Sequence, residues 1–382
     1  MRTLNYNFRN YLGFFILFVM VNASYASELN DKEYEKTITK EFSIDSDALI
    51  EFDTRHGDIN IKEGDSNTAS FVVTISTDAE NQNQADDIFS GIDIDFDDSS
   101  SNVSITTDVH HNGNWGGGWL GRLFGGGGSN RVSYQIDIDV QLPRSVELDI
   151  EHAFGDVIIP EMDNFVEVDI RHGSGKFSSI NADAIIGIRH GKIKMKDAHN
   201  LEIECHHSDF DGTTAWDVDV DISHSDLELD EAKEVDIDGS HSDFVFGKVH
   251  TLYSDGGFTD FKIDELEIAD FDTNFGDIEI GLLGVEGLFD LQHGSVDIDD
   301  ISSSARNLEF DVQHTSVSLD VDQDFELDYD GQFAKPKISP EMDYSKIDKS
   351  SHTYRYIGTS GSSDPSLFIE VEIQHGSFRI ND

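Results

Sequence analysis

A short unit recurs along this chain at a nearly constant interval. Each copy has an alternating apolar and polar segment, then His or Phe, then Gly, Ser or Thr, and then a second short segment, as in DIRHGSGKF (169–177) and DISHSDLEL (221–229). The aromatic markers are Phe154, His172, His190, His207, His224, His241, Phe258, Phe275, His293 and His314. The step between successive markers hardly varies and lengthens only at the last one, from His293 to His314. A period of about 17–18 residues is too short for a propeller blade or a helical repeat and is typical of one coil of a β-helix.

Apolar residues alternate with acids inside each copy. Val218, Val220, Ile222, Leu227 and Leu229 fall on one side of an extended chain, and the acids between them fall on the other. One such coil is too small to offset the conformational entropy lost when it is ordered, so neighbouring coils must stack and share a core. The sequence therefore predicts an all-β fold, a β-solenoid with about ten rungs of 17–18 residues over residues 146–324.

The segments on either side of this array lose the period. Residues 27–145 carry longer alternating runs and one isolated copy of the unit, TRHGDINI (54–61), and we expect a β-rich N-terminal cap there. Residues 325–382 begin with a polar, proline-bearing stretch, which predicts an irregular insertion. They end in the strands SLFIEVEI and SFRIND, which we expect to cap the C-terminal edge. Caps are needed because bare strand edges recruit other chains.

The N-terminus has the three parts of a secretory signal peptide. Arg2 and Arg9 precede an apolar run, and Ser24 and Ala26 stand at the −3 and −1 positions of a cleavage site. The run is shorter than the roughly 20 residues that span a membrane, although an uncleaved N-terminal anchor is an alternative. No second long apolar run follows, so we predict residues 1–26 as a signal peptide and no integral membrane span in the mature chain. The protein is then exported: periplasmic, on the cell surface or secreted.

Charge limits the partners. The chain has 26 Lys+Arg against 77 Asp+Glu, a formal net charge of −51. Such a surface repels nucleic acid and anionic lipid and attracts cations and basic polymers. Solubility, or adaptation to a salty habitat, is the simpler explanation of the charge. The single cysteine, Cys205, excludes an intrachain disulfide.

Several copies resemble a known family. The units HGDINI (56–61), FGDVII (154–159) and HGSVDI (293–298), together with the strand QIDIDVQLP (135–143), are similar to bacterial adhesin-like β-strand-repeat domains of unknown function. That family is related to the head domain of auto-transporter adhesins, and the resemblance covers most of residues 40–380. It implies a right-handed single-stranded β-helix at the cell envelope and offers no catalytic residues to carry over. This chain departs from the family pattern in placing His before the Gly or Ser.

Five consecutive rungs place histidine at the marker position, and a row of aspartates follows two residues later. The candidate metal ligands are His172, His190, His207, His224, His241, Asp209, Asp226 and Asp243. Imidazole and carboxylate groups bind zinc, copper or nickel. Phe258 and Phe275 occupy the same column, however, and phenylalanine replaces histidine in a ring stack but never as a ligand. Both interpretations, a stacking ladder and a metal site, stay open, and no metal site is assigned.

Two other features bear on function. Acids such as Asp219, Asp236 and Asp270 repeat along the outer face, where calcium or diffuse counter-ions would relieve their repulsion. The Gly/Trp-rich loop 113–130 is a candidate contact loop through Trp115, Trp119, Leu120 and Phe124. It either packs on the cap or contacts a membrane or protein partner.

No residue set has the form of an active site. Ser223, His224, Ser225 and Asp226 are neighbours in an extended chain, so their side chains diverge where a catalytic triad must converge. We therefore predict a non-catalytic envelope or surface β-solenoid, an adhesin-like interaction or scaffold protein that needs no cofactor. Its partner would be an envelope protein or a surface glycan. The alternatives are a polysaccharide-binding or polysaccharide-degrading β-helix and a periplasmic metal-binding protein using the His and Asp columns.

Overall fold

Alternating segments of β-branched, aromatic and acidic residues favour a sheet with one buried face. A computed structural model describes residues 33–110, 133–361 and 364–381. Within these ranges the expected all-β class is confirmed: 24 strands lie in one hydrogen-bonded sheet, accompanied by one short helix. The predicted signal peptide and the Gly/Trp-rich loop 113–130, with Trp115, Trp119, Leu120 and Phe124, lie outside the described residues.

The first half of the described chain contains fourteen strands and the helix. They are β1 Tyr34–Ser43, β2 Leu49–Arg55, β3 Ile59–Glu63, β4 Thr68–Thr77, α1 Gln82–Phe89, β5 Ile92–Asp98, β6 Asn102–Val109, β7 Tyr134–Leu142, β8 Glu147–Ala153, β9 Val157–Ile159, β10 Val166–Arg171, β11 Ser174–Phe177, β12 Ala184–Arg189, β13 Lys192–Lys194 and β14 Asn200–His206. The remaining strands are β15 Asp209–Ser223, β16 Asp226–Ile298, β17 Asn307–Gln313, β18 Thr315–Asp320, β19 Phe325–Gln332, β20 Lys337–Ile338, β21 Met342–Lys349, β22 Thr353–Ser360, β23 Leu367–Gln374 and β24 Ser377–Asn381.

Consecutive copies of the repeat pair in parallel, in register. Val166 in β10 pairs with Leu148 in β8 and with Ala184 in β12, one copy away in each direction. In the middle copies the interval is shorter by a single residue, as in Asn200 with Asp217 and Asp217 with Glu234. It lengthens again where β16 pairs with β17, as in Glu286 with Asn307. The sequence interval between markers is therefore the interval between hydrogen-bonded neighbours. The second strands of the copies, β9, β11, β13 and β15, pair in the same way.

The apolar residues of all copies enter one core. Val218, Val220, Ile222, Leu227 and Leu229 are all buried, which confirms the inward set read from the alternation. One continuous cluster of buried residues extends from Ile44 to Ile380. Strand β16 is 73 residues long and passes through several copies without a break.

At the N-terminal end, the isolated copy belongs to the stack. Strands β2 and β3, which flank His56, pair in parallel with β8 and β9 on one side. On the other side they pair in parallel with β6 and β7. The antiparallel pairs β1–β4, β4–β7 and β5–β6 then cover this end. The unit TRHGDINI is thus isolated in the sequence but adjacent to the first regular copy in the structure.

At the C-terminal end, the order of the layers differs from the expected one. Strands β23 and β24 pair with β17 and β18 on one side and with β19 and β20 on the other. The last strands therefore lie one layer inside the end and do not form its edge. The segment expected to be irregular contains the antiparallel strands β21 and β22, and β22 pairs with β19. This hairpin returns the chain so that the final copy inserts between two earlier ones.

Candidate functional site

The marker residues form one continuous row of rings. In spatial order the row contains His56, Phe154, His172, His190, His207, His224, His241, Phe258, Phe275, His293, His314, His375 and Phe333. Consecutive centroids are between 4.5 Å (Phe258–Phe275) and 5.3 Å (His190–His207) apart. The planes are nearly parallel except at His207 and His224, where they meet at 41°. We call this row the ring ladder; its existence confirms the stacking that the Phe substitutions in the column favoured.

Sequence analysis missed the last ring. Phe333 stacks on His375 with centroids 4.5 Å apart and planes 8° apart. The sequence does contain a sign of this ring, because Gln332-Phe333-Ala334 matches Gln313-His314-Thr315 in an earlier copy. The period fails between these copies, so the match had no support from spacing.

All ladder residues except Phe275 and His293 stand at a corner where the backbone is left-handed. The φ angle is +54° at His224, +54° at His241 and +62° at Phe258. This conformation costs a non-glycine residue about 1–2 kcal/mol. Histidine adopts it several-fold more often than most residues, which accounts for its frequency at the corner. Phenylalanine has no such preference, so ring contacts with the neighbouring copies must offset the cost there.

The residue after each ring is small because two copies approach closely at the corner. A Cβ added to Gly173 would collide with the carbonyl oxygen of Gly155 in the preceding copy. In the middle copies, Ser208, Ser225 and Ser242 take this place and are buried. The Ser225 hydroxyl accepts the Ser208 N–H at 2.9 Å and donates to the Ser223 carbonyl at 2.9 Å. Serine therefore satisfies the backbone groups that the tight corner leaves without a ladder partner.

The outer edge of the ladder faces solvent. His172, His190, His207, His224 and His241 are exposed, and Phe258 keeps 54% of its surface exposed. Truncating one of these rings would leave no internal void, because the rings lie outside the core. Each imidazole presents its edge outward while its faces contact the rings of the neighbouring copies.

The aspartates proposed as co-ligands form their own column. Asp209 and Asp226 pair in register, and Asp243 takes the equivalent place in the next copy, with all three side chains exposed. Partial burial, and then the charges of Asp209 and Asp243, raise the pKa of Asp226. Over residues 33–110, 133–361 and 364–381, no group of three or more His, Cys, Asp or Glu side chains has an arrangement that could hold a metal ion.

A second acidic column stands three residues before the ring of most copies. Asp272, Asp290 and Asp311 belong to it, and partial burial together with the other two carboxylates raises the pKa of Asp290. Two positions earlier in the copy, Asp219 pairs in register with Asp236. Repulsion along these columns is a property of the fold, because parallel in-register pairing places equivalent acids side by side.

One buried histidine lies outside the ladder and was not singled out from the sequence. The His152 ring is 3% exposed, and its Nε2 donates to the Gly57 carbonyl at 2.7 Å. Its Nδ1 lies 2.8 Å from the Thr54 hydroxyl, in the isolated early copy that docks on the first regular one. Burial lowers the pKa of His152, and the hydrogen bonds and nearby acids only partly oppose this. The neutral ring thus joins the N-terminal layer to the first regular copy.

A groove interrupts the acidic outer face beside the ladder-bearing strands. Its volume is about 440 Å³, and its lining residues come from the first segments of five successive copies. Phe165 and Ile185 supply apolar surface where neighbouring copies carry acids or amides. Asp183, Glu202, Asp219 and Asp236 surround this apolar surface. Concave sites of this composition, apolar with a few convergent polar groups, are the usual places for ligands.

An exposed tryptophan stands next to a groove residue in the sequence. Trp216 precedes the groove residue Asp217 and is 57% exposed. Its ring stacks on His199 with centroids 6.0 Å apart and planes at 20°. The Lys233 ammonium lies 5.3 Å from the Trp216 ring centroid and 3.9 Å from Asp217 Oδ1. Sequence analysis did not single out Trp216, because it lies in the segment that joins two copies and belongs to no repeated motif.

Comparison with known proteins gives no family assignment. No protein-family model matches the chain, and no curated protein matches it. Among solved structures, the chain is similar to a "putative cell adhesion protein" from Clostridium sporogenes, at 9% identity and a TM-score of 0.17, covering 90% of this chain and 99% of that one. It is similar to a "putative adhesin" from Parabacteroides distasonis at 12% identity and a TM-score of 0.28, covering 70% of this chain and 96% of that one. A "putative lipid binding protein" from the same species gives 12% identity and a TM-score of 0.22, covering 91% of this chain and 97% of that one.

These likenesses are too low to support any conclusion on fold or function. In the described part of the chain, no helix has the length and apolar character needed to cross a membrane.

Proposed function

We propose that this chain is a non-catalytic, exported interaction protein of the bacterial envelope or cell surface, built as a right-handed single-stranded β-helix. The cap, the solenoid and the C-terminal region would comprise residues 27–145, 146–324 and 325–382. The observation that carries the proposal is the in-register parallel pairing of each copy between β8 and β18 with the next along the sequence. This pairing repeats every outward side chain as a column, which suits an extended binding surface.

Repetition also argues against catalysis. A reaction needs one converging set of groups, whereas His224 and Asp226 recur in equivalent places one copy on, as His241 and Asp243. No cofactor is needed for such a role. The N-terminal signal, the strong negative charge and the resemblance to adhesin-like repeat domains support an exported location.

Two measurements test this proposal on the full chain. Expression in a Gram-negative host followed by fractionation should place the protein outside the cytoplasm, with its N-terminus at Ser27. The purified protein should then bind envelope extracts or intact cells without releasing reducing ends from polysaccharides. Cytoplasmic retention, or turnover of a polysaccharide, would contradict the proposal. Deleting residues 113–128 would test whether the Gly/Trp loop supplies the contact, with loss of cell binding but not of the β circular-dichroism spectrum as the expected result.

A second candidate function, polysaccharide binding, is favoured by the groove beside Trp216. An apolar patch surrounded by carboxylates, with an exposed indole next to one of them in the sequence, has the chemistry that contacts sugar rings. It remains compatible with a surface role, because binding a glycan is one way in which an envelope protein engages its partner.

A further inference from the structure

We propose that the groove and Trp216 together bind a glycan that carries ammonium groups, a polymer of amino sugars. This inference rests on the proposed non-catalytic binding function and specifies the ligand class. The apolar C–H faces of the sugars would lie on Phe165 and Ile185, and their hydroxyls would be bound by Asn200 and the surrounding carboxylates. An ammonium group would occupy the position that Lys233 now holds over Trp216.

The protein itself shows that this position accepts an ammonium. Lys233 Nζ lies over the Trp216 ring and close to Asp217, so both the π face and a carboxylate contact the same cation. A cation over an aromatic ring is attracted by the ring quadrupole, and a neighbouring carboxylate adds to the attraction. The Lys233 side chain is about half exposed. A ligand ammonium can therefore displace it without disturbing the core.

The groove also has the apolar contact surface that a purely acidic patch lacks. Glu167 pairs in register with Ile185, so an isoleucine interrupts a column that is otherwise acidic in the neighbouring copies. Phe165 is half-buried one copy before Asp183 and exposes part of its ring at the groove. A simple metal ion would gain nothing from these two side chains. A sugar polymer with alternating apolar faces and charged substituents would contact both.

A glycan fits better than a basic peptide. Peptides commonly bind by adding a strand to a free sheet edge, by laying a helix in a long apolar groove or by docking a polyproline segment on aromatic residues. Here β12 is paired on both sides, with β10 and β14, so no free backbone edge lines the groove. A ligand in the groove can therefore contact only side chains. That arrangement suits hydroxyl and ammonium groups held by carboxylates and amides.

The test uses calorimetry with a fully deacetylated chitosan hexamer at mildly acidic pH, where its amines carry charge, in about 150 mM NaCl. The matched ligand is the N-acetylated hexamer, which has the same sugars without the charge. We expect the chitosan hexamer to bind and the acetylated one to bind at least about tenfold more weakly. Trp216→Ala should weaken chitosan binding by about tenfold, while Phe333→Ala, at an equally exposed aromatic at the far end of the ladder, should leave it unchanged.

Two pairs of variants separate a site from diffuse attraction to a negative surface. Glu202→Gln and Glu309→Gln remove the same charge at equivalent positions of two copies, but only Glu202 lines the groove. Lys233→Ala and Lys248→Ala each remove one cation, but only Lys233 covers Trp216. We expect weaker binding for Glu202→Gln alone and severalfold tighter binding for Lys233→Ala alone.

Three results would overturn the inference. Equal effects within each pair would show diffuse electrostatic attraction, and no chitosan binding would remove the ligand class. Hexalysine binding with the same dependence on Trp216, Glu202 and Lys233 would show a peptide site. If envelope or cell binding persists in any of these cases, the proposed surface function stands while this inference fails.

Discussion

The Phe258 ring stacks on the His241 ring in the preceding copy, with centroids 4.8 Å apart and planes 12° apart. Phe275 continues the stack on the other side at 4.5 Å. Phenylalanine has no nitrogen, so the row stays continuous through positions that neither ligate a metal nor titrate. What these positions share is a flat ring at an exposed corner, and ring stacking is therefore the property common to the whole ladder.

The ladder predicts an ordering of variants at His224. His224→Phe should change the free energy of unfolding by less than about 1 kcal/mol, because the flat ring keeps its contacts with His207 and His241. His224→Ala should cost about 1–2 kcal/mol, because two ring contacts are lost at a left-handed residue. Urea unfolding of the three proteins measures the difference. Equal losses in both variants would contradict stacking as the role of the ring.

Zinc distinguishes the ladder from the metal hypothesis on the same three proteins. A ligand that binds only the folded state raises the melting temperature. We expect no rise with micromolar zinc relative to chelator in any of them. A rise of several degrees in wild type, abolished by both His224→Phe and His224→Ala, would instead show that the His and Asp columns bind metal.

The tight corner predicts a steric penalty at one glycine and none at another. Gly173→Ala should destabilise the protein by about 3 kcal/mol or more, because the new methyl group collides with the Gly155 carbonyl. Gly187→Ala is the matched control, since its nearest neighbour would be the Val168 carbonyl oxygen at an ordinary 3.6 Å. Thermal melting compares the two. Similar melting temperatures would mean that the copies can separate at the corner without cost.

The acidic columns predict that salt stabilises the fold. The melting temperature should rise between about 10 and 500 mM NaCl, because screening shortens the reach of the repulsion. Asp290→Asn should raise it at low salt by relieving the repulsion from Asp272 and Asp311. Asp328→Asn removes the same charge but should lower it, because Arg355 lies 2.7 Å from Asp328. A flat response to sodium with a sharp rise in calcium would point to specific calcium sites.

His152 predicts a loss of stability on mild acidification. Its pKa is lower in the folded protein than in the unfolded chain, where it is about 6.5. The unfolded chain therefore takes up the proton first, and the stability that the neutral ring contributes is present above this pH and declines as the pH falls below it. His152→Gln keeps hydrogen-bonding groups and removes the titration, so its melting temperature should fall less between about pH 7.5 and 5.5.

Four acids with raised pKa values change the pH dependence of stability in the opposite direction, so the wild type must be compared with the variant. Burial and like charges raise the pKa of Asp149, Glu167, Asp226 and Asp290, so their protonation favours the folded state and stability falls as the pH rises above about 4. These groups are the same in wild type and His152→Gln. The difference between the two pH profiles thus isolates His152, and parallel profiles would show that its titration does not contribute to the pH dependence of stability.

The sequence by itself determined the repeat, the inward and outward sets and the ring column. Alternation has a period of two and is local, so Val218 and Asp219 reveal their opposite faces without any tertiary information. The repeat interval likewise predicts which residues are neighbours, because residues one interval apart pair in adjacent copies. The substitution of Phe258 and Phe275 for histidine favours ring stacking from the sequence alone.

Only the tertiary structure decided the order of the terminal layers, the exposure of the ladder and the groove. Every copy offers nearly the same pairing edge, so local pattern does not say that β2 lies between β6 and β8 or that β23 lies between β17 and β19. Those choices depend on contacts between residues far apart in the chain, such as His152 with Thr54. The groove depends on the same cause, because Phe165, Ile185 and Asp219 belong to different copies and line one groove only when the copies stack.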